Sequence, residues 1–146
     1  MKKSIILLVE DDELDVISVQ RSLNKIGIEY ELITAYNGIE ALEKLRGSKH
    51  LPPADPLPDV ILLDINMPRM DGLQFLSILR SDEALKHLKV VIMTTSGEEH
   101  DRIKTETMGV SGYLIKPLNF NNNDKRPDSM DGFMQFHLRH ILANLD

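Results

Sequence analysis

Val60-Ile61-Leu62-Leu63-Asp64 is a short run, apolar until it stops on a carboxylate. A strand that is apolar at every position belongs in a sheet covered by helices on both faces, the setting of parallel sheets. Outward from it, two more runs end on charge: Ser4-Ile5-Ile6-Leu7-Leu8-Val9 at Glu10-Asp11, and Gly112-Tyr113-Leu114-Ile115 at Lys116-Pro117. In a parallel α/β sheet the carboxyl ends of the strands line one crevice, where ligands bind. Three carboxylates and a lysine gathered there suit a hard divalent cation, an anion beside it and a carboxylate acting as nucleophile.

The rest of the chain alternates strand-like and helix-like segments, which predicts βαβ units. Ile5–Val9 is the first strand. Val16, Val19, Leu23 and Ile26 recur at helical spacing over about 12–26, and Gly27 supplies a left-handed stop. Tyr30–Ala35 is the second strand. Asn37-Gly38-Ile39-Glu40 resembles a capping pair opening a helix through Leu45, which Gly47 ends. Residues 47–58 hold four prolines and read as a solvent-exposed connection. Asp59–Asp64 is the third strand, followed by a helix over about 72–80 capped by Asp71. Val90–Thr94 is the fourth strand, Ser96-Gly97-Glu98-Glu99 begins a weaker helix to Met108, and Gly112–Ile115 is the fifth strand. Polar residues 119–128 form a loop. A final helix over about 129–143 carries Met134, Leu138, Ile141, Leu142 and Leu145 on one stripe.

Composition removes several classes of function. With 146 residues there is room for one domain, spanning 1–146, with a sizeable core. A net charge of -6 without a basic stripe argues against nucleic acid or an anionic membrane as partner. There is no cysteine, so a metal must use oxygen or imidazole ligands. Met1-Lys2-Lys3 before an apolar run has a faint look of a signal peptide. The run is short, however, and ends in Glu10-Asp11-Asp12-Glu13 with no cleavage site, so the chain reads as cytoplasmic. No GxxxxGK[ST] or GxGxxG phosphate loop is present, which leaves nucleotide binding without support. The five histidines show no ligand-type clustering at the strand ends, and His137 and His140 read as surface or interface residues.

Each charged group also has a plainer explanation. An aspartate just past a strand often caps the next element, but Asp64 shares its sheet edge with Glu10 and Asp11. Carboxylates brought together repel unless a cation is shared among them. Mg²⁺ suits the need, with oxygen ligands, retained waters and a phosphate to complete its shell. Asp12 and Glu13 fit an acidic helix start that complements the helix dipole. Most lysines are solvated. Lys116 instead ends a buried strand and precedes Pro117, which favours an extended backbone, and there it can counter an anion. Thr95 and Ser96 close the fourth strand, Ser96 as a cap and Thr95 as a hydroxyl donor to a phosphoryl oxygen.

Val9-Glu10-Asp11-Asp12, Leu63-Asp64-Ile65-Asn66-Met67-Pro68-Arg69-Met70-Asp71-Gly72, Met93-Thr94-Thr95-Ser96 and Gly112-Tyr113-Leu114-Ile115-Lys116-Pro117 together resemble the receiver domain of two-component response regulators. The likeness covers roughly 4–118. Within that family the chain is similar to stand-alone receivers linked to phytochrome-type histidine kinases, which also carry a long segment before the third strand. The resemblance implies a flavodoxin-like, doubly wound five-stranded parallel sheet of order 2-1-3-4-5 with five helices. It further implies that Asp64 is the phosphoacceptor. Mg²⁺ would be held by the side chains of Asp11 and Asp64 and the Asn66 backbone carbonyl, with Glu10 acting through water. Thr95 would hydrogen-bond the phosphoryl group, Lys116 would pair with it, and Tyr113 would be an aromatic switch following Thr95. The Lys116-Pro117 bond would be cis.

The partners so implied are a histidine kinase or a phosphotransfer protein, and a downstream protein. Output runs through contact, because only one helix fits after 119–128 and no output domain follows. A homodimer through the last helix and Tyr113 is a further expectation, against the alternative that its apolar stripe is simply core. Catalysis would be limited to self-catalysed phosphotransfer and autodephosphorylation. Two other functions compete: a Mg²⁺-dependent phosphatase of the aspartyl-phosphate type, and a scaffold that works without phosphorylation. The phosphatase places an acid/base aspartate where this chain has Asn66.

Overall fold

The computed structural model describes residues 3–65, 70–94, 108–116 and 130–143. Five strands, β1 (Ser4–Val9), β2 (Tyr30–Ala35), β3 (Val60–Asp64), β4 (Val90–Thr94) and β5 (Gly112–Ile115), form one sheet in the order β2-β1-β3-β4-β5. Every neighbouring pair is parallel. The described helices are α1 (Glu13–Lys25), α2 (Gly38–Arg46), α3 (Gly72–Ser81) and α4, residues 130–143. The helix expected from Ser96 and the loop expected over 119–128 lie outside the described residues. No described helix is long and apolar enough to cross a membrane.

The continuous apolar strands are explained by two cores, one on each face. Leu7, Val9, Ile61, Leu63, Val90 and Ile92 point to one side, where α2 (Ala41, Leu42, Leu45) and α3 (Phe75, Leu76, Leu79) cover them. Ile6, Leu8, Val60, Leu62, Val91, Met93 and Leu114 point to the other, against Val19 and Leu23 of α1 and Met130, Phe133, Met134 and Leu138 of α4. Successive strand residues alternate faces, so a strand sealed on both must be apolar throughout.

The helix starts follow the sequence closely. Asp12 caps α1 by accepting from the backbone N–H of Leu14 at 2.8 Å. Asn37 caps α2 by accepting from Glu40 N–H. Asp71 and Gln74 cap α3 reciprocally, each side chain accepting from the other's backbone N–H. The segment 47–58 is largely exposed as expected, though Leu57 packs on the core and Pro58 is buried. It turns back on itself through a Ser48–Leu51 bridge and meets the end of α2 through Ala54 N–H to Leu45 O. Gly47 permits this return, with φ of 84° and a backbone so close that a Cβ would lie 2.7 Å from the Pro53 nitrogen. The Asp55-Pro56 bond in this segment is cis.

α4 departs from the regular helix that its stripe predicts. Residues Phe133–Leu138 are π-helical, between α-helical Met130–Gly132 and Arg139–Ala143. The wider turn brings residues five apart onto one face, so Phe133 joins Met134 and Leu138 in the core, all at most 2% exposed. Gly112 makes room for the Phe133 ring; a Cβ there would sit 2.9 Å from it. Met134 and Leu138 are therefore core, while Ile141 and Leu142 of the same stripe are only partly buried against it. The exposed apolar side chain of α4 is Phe136.

Arg80 at the end of α3 ties two connections together. Its guanidinium donates to the carbonyls of Lys86 and Leu88, which precede β4, and of Met108 and Gly109, which precede β5, at 2.6–3.2 Å. Arg80→Ala strips four carbonyls of a charged donor and is expected to cost about 2–3 kcal/mol in urea unfolding, with Arg80→Lys recovering only part because an ammonium lacks the planar fork. A loss below about 0.5 kcal/mol would show the fork to be idle.

Candidate functional site

The pairing register decides what meets at the carboxyl edge. Val9 is level with Ala35 and Leu63, Asp64 with Met93, and Thr94 with Ile115. The ladder runs one residue beyond two strands, since Glu10 N–H donates to Ala35 O and Lys116 N–H to Thr94 O. Alternation therefore carries past the strand ends. Glu10 falls on the face of Leu8, Asp64 on that of Leu62, and Lys116 on that of Leu114, all on the side covered by α1 and α4. Three charged side chains from three strands are so directed into one space.

They meet there. The Lys116 ammonium lies 2.5 Å from Glu10 Oε1, 2.9 Å from Asp15 Oδ2 and 3.1 Å from Asp64 Oδ2. Glu10, Asp64 and Lys116 are 1%, 3% and 6% exposed, so these charges act with little water between them. Oxygens of Glu10, Asp11 and Asp64 all lie within 4.8 Å of one another, with Asp11 the exposed member. Burial first, and then Asp64 beside it, push the Glu10 carboxyl up to about 9 from 4.5, against the pull of Lys116. Burial works against the charge on Lys116. The bond to Glu10 and the charges of Asp64 and Glu10 outweigh it and hold the ammonium above the ordinary lysine value.

The residues fit a hard dication. All three carboxylates offer oxygen, and one of them is exposed to an entering ion. Three acidic groups at this spacing with a single ammonium leave an excess of negative charge that a divalent metal relieves.

Of the residues singled out in the sequence, Glu10, Asp11, Asp64 and Lys116 come together. Asn66, Thr95 and Pro117, and with Pro117 the expected cis bond, lie outside the described residues. Tyr113 is half-buried and packs on the α2/α3 core, on the opposite face from Lys116. Asp12 and Glu13 are the helix start expected of them. Sequence reasoning missed Asp15. It looks like one more acid in the first turn of α1, and the signal that finds it is its position five residues beyond Glu10, where α1 returns over the crevice.

A doubly wound sheet of this order with an acidic edge and a strand-end lysine has known counterparts. The family model described as response regulator receiver domain matches residues 6–126. This chain belongs to the response regulator receiver domain family. It is a receiver domain of a two-component response regulator. Response regulator Rcp1 of Synechocystis is 35% identical over 129 residues, 88% of this chain and 87% of that protein. The phosphorylated cyanobacterial phytochrome response regulator RcpA superposes with a TM-score of 0.81 at 29% identity, covering 99% of this chain and 98% of its own. The Mn²⁺-bound form of Rcp1 gives 0.77 at 31% identity, covering 98% and 97%. A divalent metal thus occupies a structure of a similar receiver, and the acidic group of this receiver domain is compatible with one.

Proposed function

We propose that this receiver domain is a phosphorylation switch in which Asp64 accepts a phosphoryl group from the phosphohistidine of a histidine kinase, directly or through a phosphotransfer protein. One observation carries the reading: the only cation in the crevice among the described residues, Lys116, sits 3.1 Å from the strand-end carboxylate Asp64. An Asp64 oxygen attacks phosphorus in line, the P–N bond to imidazole breaks as the P–O bond forms, and the electron pair leaves on the imidazole nitrogen. Lys116 then pairs with a phosphoryl oxygen, and the Thr95 hydroxyl donates to another. Asp11, Asp64 and the Asn66 backbone carbonyl, with Glu10 through water, would hold Mg²⁺, which would supply positive charge to the transferring group.

Signalling follows from a change in local charge that biases an existing two-state element. Tyr113, half-buried on β5, is the element proposed to turn inward as Thr95 moves to the phosphate. Output is contact with a downstream protein, in the cytoplasm. The likeness to Rcp1 and RcpA supports a phytochrome-type kinase as donor.

Acetyl phosphate with Mg²⁺ is expected to add one phosphoryl group per chain, seen as a single increment in intact mass. Phosphomonoesters under the same conditions should show negligible turnover. Sustained multiple turnover on phosphomonoesters would make the protein a phosphatase instead.

A further inference from the structure

We infer that Asp15 is a positioning residue: it holds the Lys116 ammonium and competes with the phosphoryl group for it. The inference rests on the phosphoacceptor reading of Asp64. Lys116 has three carboxylate neighbours, at 2.5 Å (Glu10), 2.9 Å (Asp15) and 3.1 Å (Asp64). Two of them, Glu10 and Asp64, also belong to the oxygen cluster with Asp11 that suits a cation; Asp15 is not in that cluster. A dication bound there draws on the charge of Glu10 and Asp64. Asp15 is then left as the carboxylate whose partner is Lys116 alone.

The placement of Asp15 is firm. Its backbone N–H is held by the Asp12 cap, at 3.4 Å, in the first turn of α1. Its side chain is 21% exposed against 6% for Lys116, and it accepts a hydrogen bond from Lys116 across 101 residues of sequence. A lone role in complementing the helix dipole would require no such partner. An ammonium already paired with a fixed carboxylate gives up part of its attraction for an incoming anion, because the two acceptors share its three donors. Asp15 thereby weakens the hold of Lys116 on the phosphoryl group while keeping the ammonium aimed into the crevice.

Initial rates of labelling by acetyl phosphate in saturating Mg²⁺ test this. Asp15→Asn, which keeps shape and loses charge, should lower the half-saturating acetyl phosphate concentration about three- to tenfold, toward the low end of the coupling seen between contacting residues. The rate at saturation should stay within about twofold, as a change in anion binding alone requires. Asp15→Glu should return the half-saturating concentration toward the wild-type value. In a Lys116→Met background, Asp15→Asn should leave that concentration unmoved. An unchanged half-saturating concentration in Asp15→Asn overturns the inference while labelled wild-type protein leaves the phosphoacceptor reading standing. An equal shift in the Lys116→Met background overturns it too, by showing a field effect that bypasses the lysine. Failure of the wild-type protein to label at all removes the phosphoacceptor reading and this inference with it.

Discussion

Asp64→Asn is expected to take up no phosphoryl group from acetyl phosphate or from a phosphohistidine donor, while folding as the wild type does. The amide has the size of the carboxylate but not its anionic oxygen, so the attacking group is gone and the cavity at the end of β3 stays filled. Stability should hold for an electrostatic reason. Asp64 is one of the groups that push the Glu10 carboxyl upward, and removing its charge relieves a crowded buried cluster rather than stranding a partner. Lys116 keeps Glu10 and Asp15 within ion-pair distance. The measurement is intact mass after acetyl phosphate treatment, beside a thermal melt. Labelling at the wild-type level in a folded Asp64→Asn protein would place the phosphoacceptor on another residue.

The second large effect concerns metal and pH together. The Glu10 carboxyl titrates at about 9 in the metal-free fold against 4.5 ordinarily. Between those values the folded chain binds more protons than the unfolded one, so metal-free stability is greatest below about pH 4.5 as far as this group is concerned and falls as pH rises through about 9. A dication held through water to Glu10 favours its charged carboxylate and so competes with that proton. Its stabilising effect should therefore be small near pH 6 and grow toward pH 9. At a hundredfold excess over the dissociation constant, binding to the folded state adds about 2.7 kcal/mol, which for a domain of this size raises the melting temperature by roughly 5–10 °C. Melts in Mg²⁺ and in a chelator, at about pH 6 and about pH 8.5, give the comparison. A Mg²⁺ increment that is absent, or the same at both pH values, would count against Glu10 as part of a metal centre.

The strands and most helix boundaries were legible because their signals are local. An unbroken apolar run, an Asn/Asp cap and a glycine stop each act within a few residues, and β2, β4 and β5 have the bounds that the sequence predicts. The convergence of Glu10, Asp11, Asp64 and Lys116 was legible for a related reason: a charge at the end of a buried strand is out of place unless it serves the edge. The chain order of those motifs also carried the resemblance that the family match upholds.

What the sequence left open depends on contacts between distant segments. An apolar stripe such as Met134 and Leu138 has the same pattern whether it faces a sheet or another molecule; packing of α4 on Leu114 and Met93 made it core. The π-helical turn arises from fitting Phe133 against Gly112, a pairing that no local propensity encodes. Asp15 is hardest of all, since an acid in the first turn of a helix is ordinary until α1 is laid across the sheet and its carboxylate meets an ammonium 101 residues away. Strand alternation aims Glu10, Asp64 and Lys116 to one side. Only the docking of α1 on that side adds the fourth charge, because electrostatic contact depends on distance in space and is blind to separation along the chain.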